Sequence, residues 1–202
     1  MIIQNKLRIP SALLVCYVNA EIGVGHLSRL LAIAETLRKD NKVIPEFLIF
    51  GEFIKKDELS NFNVHIFSPR DNFVVTIENM LKANNFDALI FDLYPKHNIN
   101  NLSRLFKQLK QRNISLIGID SLLEHCNILD LIWIPSFNFD CGRYIDCTSL
   151  LRSGWDSLLI QKRLHNKDWT PGEKVLILTG GSDVSNLREN LPVQLDKLLG
   201  KN

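Results

Sequence analysis

The four cysteines, Cys16, Cys126, Cys141 and Cys147, include no Cys-x-x-Cys pair. No two of the five histidines, His26, His65, His97, His125 and His165, stand at the spacing that puts two ligands on one helix face. Neither a zinc site nor a disulfide framework is expected, no structural metal is predicted, and a reducing compartment is the simplest setting. No window reaches the roughly 18 uninterrupted apolar residues that cross a bilayer, so no transmembrane segment is expected. Leu13–Val18 resembles a short signal-peptide core, but it leads directly into a glycine turn and an amphipathic segment, which suits a first core strand better. The chain also lacks Gly-x-Ser-x-Gly and Gly-x-x-x-x-Gly-Lys-Ser/Thr, which removes a serine-hydrolase elbow and a P-loop. With 23% charged residues and a net charge of +2, nothing marks a polyanion-binding surface, and nucleic acid is not an expected partner.

What the 202 residues do contain, 46% of them hydrophobic, is enough for a sizeable core. Short β-rich runs occur at Ala12–Val18, Val43–Phe50, Val64–Phe67, Asp87–Phe91, Ile114–Ile119 and Leu129–Ile134. Most are continuous apolar runs, as in strands buried on both faces. Between the first two, Leu27, Leu30, Leu31, Ala34 and Leu37 fall on one helical face, and further helices are predicted at Phe73–Ala83 and Leu102–Arg112. This alternation predicts an α/β fold, a Rossmann-like parallel sheet with helices on both faces. The pattern weakens from Phe137 to Asp168 and returns as a strand, Lys174–Leu178, followed by glycines and a helical segment ending at Leu199. Residues 1–168 thus read as one domain and 169–202 as the first βα unit of a second, at which the chain stops. Pro192 is expected to kink or restart the last helix, because it cannot donate the interior hydrogen bond.

Chemistry concentrates at strand ends. Gly23-Val24-Gly25-His26 lies where the first strand gives way to a helix, so the glycines permit a tight turn and the helix start offers N–H groups to an anion. The dinucleotide fingerprint is incomplete: Ser28 stands at the third glycine position and Glu52 comes late for the ribose acid. His26 faces two readings, a general base in the crevice at the strand ends or a helix-terminal residue that packs locally, and the residues alone leave both open. Asp92 and Tyr94 follow the fourth strand, and Asp120 follows the fifth. Aspartates after strands are commonly caps or turn residues. Asp120 is read that way, whereas Asp92 is read as an acid able to orient His26. Gly180-Gly181-Ser182-Asp183 repeats the strand–glycine–helix device; Gly181 and Ser182 suit an anion, and Asp183 suits a cap.

Together, Ile22-Gly23-Val24-Gly25-His26-Leu27-Ser28-Arg29, Asp92-Leu93-Tyr94, Ile119-Asp120 and Leu178-Thr179-Gly180-Gly181-Ser182-Asp183 with Asn186 resemble the GT-B glycosyltransferases. The resemblance is to the group containing the peptidoglycan N-acetylglucosaminyltransferase and the UDP-sugar hydrolase of pseudaminic acid biosynthesis, and it spans almost the whole chain in order. It implies two Rossmann-like domains facing a cleft, the acceptor held mainly by the first and the nucleotide-sugar by the second, with no metal and no cofactor beyond a UDP-sugar substrate. His26 and Asp92 are then the implied catalytic residues. Gly23, Gly25, Arg29, Tyr94, Gly180, Gly181, Ser182 and Asn186 are the implied substrate contacts, Arg29 and Gly181 with Ser182 toward the diphosphate. The hydrolase pattern has a second aspartate after Asp120, where this chain has Ser121.

The expectation is a metal-independent nucleotide-sugar glycosyltransferase acting on a sugar or lipid-linked acceptor. The alternatives are a UDP-sugar hydrolase, whose acceptor is water, and a non-catalytic acceptor-side subunit that needs a donor-domain partner or a second copy of the chain. The expected location is the cytoplasm, and contact of the basic and aromatic residues around Arg143–Trp155 with a membrane-bound acceptor stays open.

Overall fold

The computed structural model describes residues 8–19, 23–39, 42–51, 57–93, 99–144, 146–159 and 187–199. Seven strands, β1 (Ser11–Val18), β2 (Ile44–Gly51), β3 (Asn63–Phe67), β4 (Ala88–Asp92), β5 (Ser115–Ile119), β6 (Leu131–Trp133) and β7 (Leu150–Arg152), form one open sheet in the order β3-β2-β1-β4-β5-β6-β7. Every neighbouring pair is parallel. Helices α1 (Gly25–Lys39), α2 (Phe73–Ala83) and α3 (Leu102–Gln111) connect the strands, and α4 (Leu187–Leu199) stands near the end of the chain. The expected Rossmann-like α/β sheet is therefore present. The six strands and three helices expected before Phe137 appear with ends displaced by no more than a few residues. The added strand is β7, three residues long and mostly exposed, too short to announce itself by periodicity.

The alternation of β1 divides the core. Leu13, Val15 and Tyr17 pack with Phe73 and Ile77 of α2 and Leu105 and Phe106 of α3, whereas Ala12, Leu14, Cys16 and Val18 pack with Leu27, Leu30, Leu31 and Ala34 of α1. Local signals set the helix ends: the Asn72 side chain caps α2 by accepting from the Val75 N–H at 3.1 Å. Strands β1 and β2 approach closely at their carboxyl ends. Gly51 there has φ +130°, and a Cβ on it would lie 1.9 Å from the Val18 carbonyl oxygen, so only glycine fits.

Two expectations need correction. Cys126 and Cys147 form a disulfide. They stand 21 positions apart, but the connections β5–β6 and β6–β7 run back along the same side of the sheet, where Ser149 donates its N–H and its hydroxyl to the Cys126 carbonyl. The case for a reducing compartment rested on cysteines without partners, and this pair removes its premise. Second, of the kink or restart expected at Pro192 the restart does not occur: α4 runs through it as one helix, without the one hydrogen bond that proline cannot donate. The strand expected at Lys174–Leu178 and the proposed linker before it lie outside the described residues.

Candidate functional site

The sheet order reverses direction at β1 and β4: the chain leaves β1 toward β2 and β3 on one side, then returns to place β4 on the other. Helices leave such a point on opposite faces and open a crevice beyond the strand ends, the usual ligand site of open α/β sheets. Here β1 is followed by α1, which carries His26 and Arg29, and β4 ends on Asp92. The β1–β4 register pairs Cys16 with Asp92. Because Ile90 packs on the α1 side of the sheet, Asp92, two residues on, faces that side too. His26 and Arg29, three positions apart on the first turns of α1, descend onto it.

The result is a compact charge cluster. Asp92 is fully buried and His26 is 9% exposed. His26 Nδ1 lies 2.5 Å from Asp92 Oδ1. An unprotonated ring nitrogen and a carboxylate oxygen would repel at that distance, so Nδ1 carries the hydrogen and donates it, and Nε2 is the basic nitrogen of the neutral ring. Arg29 grips the same carboxylate as a fork, Nε to Oδ2 at 2.8 Å and Nη2 to Oδ1 at 2.7 Å. The 3.0 Å approach of Arg29 Nη2 to His26 Nδ1 is then two donors sharing Oδ1. Three donors satisfy one buried carboxylate, the condition under which a charge is tolerated away from water.

The electrostatics agree with this geometry. Burial works against the Arg29 charge, but the bonds to Asp92 and the fields of Asp92 and Asp120 outweigh it and raise its pKa above the ordinary value. Beneath the cluster, burial pushes the Cys16 thiol far up, with the Asp92 charge adding to the effect, so Cys16 remains a neutral thiol.

The glycines before α1 have distinct tasks. Gly23 has φ +76°, a conformation that favours glycine, and donates its N–H to the Asn19 carbonyl at 2.8 Å, closing the turn after β1. Gly25 is the first residue of α1, and among the described residues no atom beyond its chain neighbours and its own helix lies within 4 Å of where its Cβ would stand.

Of the residues expected at the site, the structure brings His26, Asp92, Arg29, Gly23 and Gly25 to one stretch of rim. Tyr94, Gly180, Gly181, Ser182 and Asn186 lie outside the described residues. Asp120 was read as a turn residue, and its φ of +65° fits a turn. Its carboxylate nonetheless stands 3.5 Å from Arg29 Nη1, which adds it to the cluster. The available signal was its place at the end of β5, the strand beside β4. Ser121 next to it donates to the Leu93 carbonyl at 2.5 Å and ties the ends of β4 and β5 together.

Among the described residues, no group of three or more His, Cys, Asp or Glu is placed to hold a metal ion, and no helix is long and apolar enough to cross a membrane. No family model matches the chain, and no curated protein is significantly similar to it.

Proposed function

We propose that the chain is the acceptor-side unit of a nucleotide-sugar-dependent glycosyltransferase of GT-B type, with His26 as the general base. The observation that carries this reading is the Asp92–His26 pair spanning the β1–β4 switch point. Asp92 fixes the tautomer, and Nε2 then accepts the proton of an acceptor hydroxyl. The hydroxyl oxygen forms its bond to the anomeric carbon of the donor sugar as the bond to the nucleoside diphosphate breaks, and that diphosphate leaves with the electron pair. Arg29, forked onto Asp92 and facing Asp120, holds the acid in place. Its charge is balanced by Asp92 and Asp120, which leaves a departing diphosphate to the start of α1. The open space at Gly25 and the first N–H groups of α1 suit the same anion.

Turnover of UDP-sugars with candidate acceptors, followed by product analysis, tests this reading. His26→Ala is expected to lower turnover by about two to four orders of magnitude while leaving the fold intact, the usual contribution of a positioned base. Undiminished turnover by a folded His26→Ala chain would sink the role of His26. Free sugar as the sole product would mean that water takes the place of the acceptor hydroxyl.

A further inference from the structure

On the sheet face opposite α1, a groove of about 870 Å³ runs along α3, within the roughly 300–1,000 Å³ typical of small-molecule sites. Its floor is apolar, built from the buried Leu93, Leu102 and Leu122. One wall is cationic. Arg104 and Lys107 point from successive turns of α3 and, among the described residues, make no ion pair or side-chain hydrogen bond. At the head of that wall, Asn101 adopts a left-handed conformation and its side chain does not cap α3, so the first N–H groups of the helix add to the positive field. The facing wall carries Ser121, Glu124 and His125 and meets α3 where His125 Nδ1 lies 3.2 Å from Ser103 Oγ; His125 Nε2 lies 3.6 Å from Glu124 Oε1.

We propose that this groove binds a phosphate ester of a hydroxyl-rich small molecule. The phosphate lies against Arg104 and Lys107, where a guanidinium fork matches two of its oxygens. Glu124 repels an anion, so the facing wall takes the ligand's hydroxyl groups, with Gln108 and Ser121 within the same groove. The assignment stands apart from the role of His26, which lies on the other face of the sheet.

The test is calorimetric titration of the full chain with glucose 1-phosphate, inorganic phosphate and glucose, beside sedimentation with phosphatidic acid vesicles. Glucose 1-phosphate is expected to bind more tightly than either fragment. Arg104→Ala and Lys107→Ala should each weaken it about tenfold, the loss of one charge-assisted contact. The charge-retaining Lys107→Arg should recover most of that affinity, and His26→Ala should bind like the wild type. Both cationic side chains are exposed, so these variants fold, as circular dichroism would confirm. No binding by the folded chain would overturn the proposal. So would binding that survives the double Arg104→Ala, Lys107→Ala substitution, or that disappears in His26→Ala. Binding to the vesicles without binding to glucose 1-phosphate would assign the cations to a lipid headgroup and overturn it equally.

Discussion

Three of the four crossovers between β1 and β5 carry an α-helix, whereas among the described residues the two that lead to β6 and β7 carry only single turns of 3-10 helix. The first region buries Phe47, Phe50, Phe91 and Phe106 completely. In the second, β6 buries only its central residue and β7 none. Leu129, Ile132 and Ile134 still reach the core, and discrete bonds supplement this thinner apolar contact. The Cys126–Cys147 disulfide ties the two connections together, the Ser149 hydroxyl bonds the carbonyls of Cys126 and Leu129, and Trp133 Nε1 donates to the Ser157 carbonyl at 2.6 Å. The difference teaches where single substitutions should tell. In the helical region packing is distributed and only a buried charge is irreplaceable; in the other region individual bonds set local stability.

The largest effect should come from Asp92→Ala, which leaves Arg29 and His26 without their shared acceptor in a buried setting. A loss of about 3–5 kcal/mol is expected, the cost of breaking a buried ion pair by removing one partner. Urea unfolding measures it. A loss below about 1 kcal/mol, the level of exposed ion pairs, would show that water solvates the cluster and would break the contrast on its strongest side.

Replacing Cys126 and Cys147 together by serine tests the other region. Opening a loop of this length should cost about 3 kcal/mol. Hydrogen exchange sharpens the comparison: amides of β6 and β7 should lose protection first, while those of β1 and β4 keep theirs. A uniform loss across the sheet would mean that the two regions unfold as one unit.

The same contrast explains what was legible in the sequence. Leu27, Leu30, Leu31 and Ala34 announce α1 because one face of that helix meets the sheet, and continuous runs such as Leu13–Val18 announce strands covered on both sides. The residues that start at His26 and end at Asp92 were readable as chemistry because both stand at strand ends. That they touch was not written locally. It depends on the sheet reversing between β1 and β4, a pairing of residues 66 positions apart. Asp120 is legible as a turn residue, which its φ of +65° fits, but its approach to Arg29 is not, since the turn is local and the partner is distant in sequence. The disulfide was invisible because its spacing follows no motif and arises only from the path of two irregular connections.

A smaller effect separates the regions through pH. Burial lowers the pKa of His125, with Glu124 pulling partly the other way. The unfolded chain therefore takes up this proton first, near pH 6.5. Stability from the neutral ring is fully present above that value and is lost as the pH falls through the lowered folded value. Stability curves of the wild type and His125→Gln should differ by a constant amount above about pH 7 and converge or cross as acid is added. A difference independent of pH would show that His125 titrates alike in the folded and unfolded states.

The smallest expected change is at Trp155, which is 72% exposed and stacks on Phe137 with ring centroids 4.8 Å apart. Exposed substitutions away from buried bonds usually shift stability by less than about 0.5 kcal/mol, so Trp155→Ala should unfold close to the wild-type midpoint. This is the sharper half of the comparison, because Trp155 sits in the region where single contacts matter most. If its removal cost as much as the disulfide, the stacked pair would be a structural clasp, and the region would rest on apolar contact after all. A near-neutral result would instead leave the bonds at Cys126, Ser149 and Trp133 as the side-chain contacts that reinforce the pairing of β6 and β7.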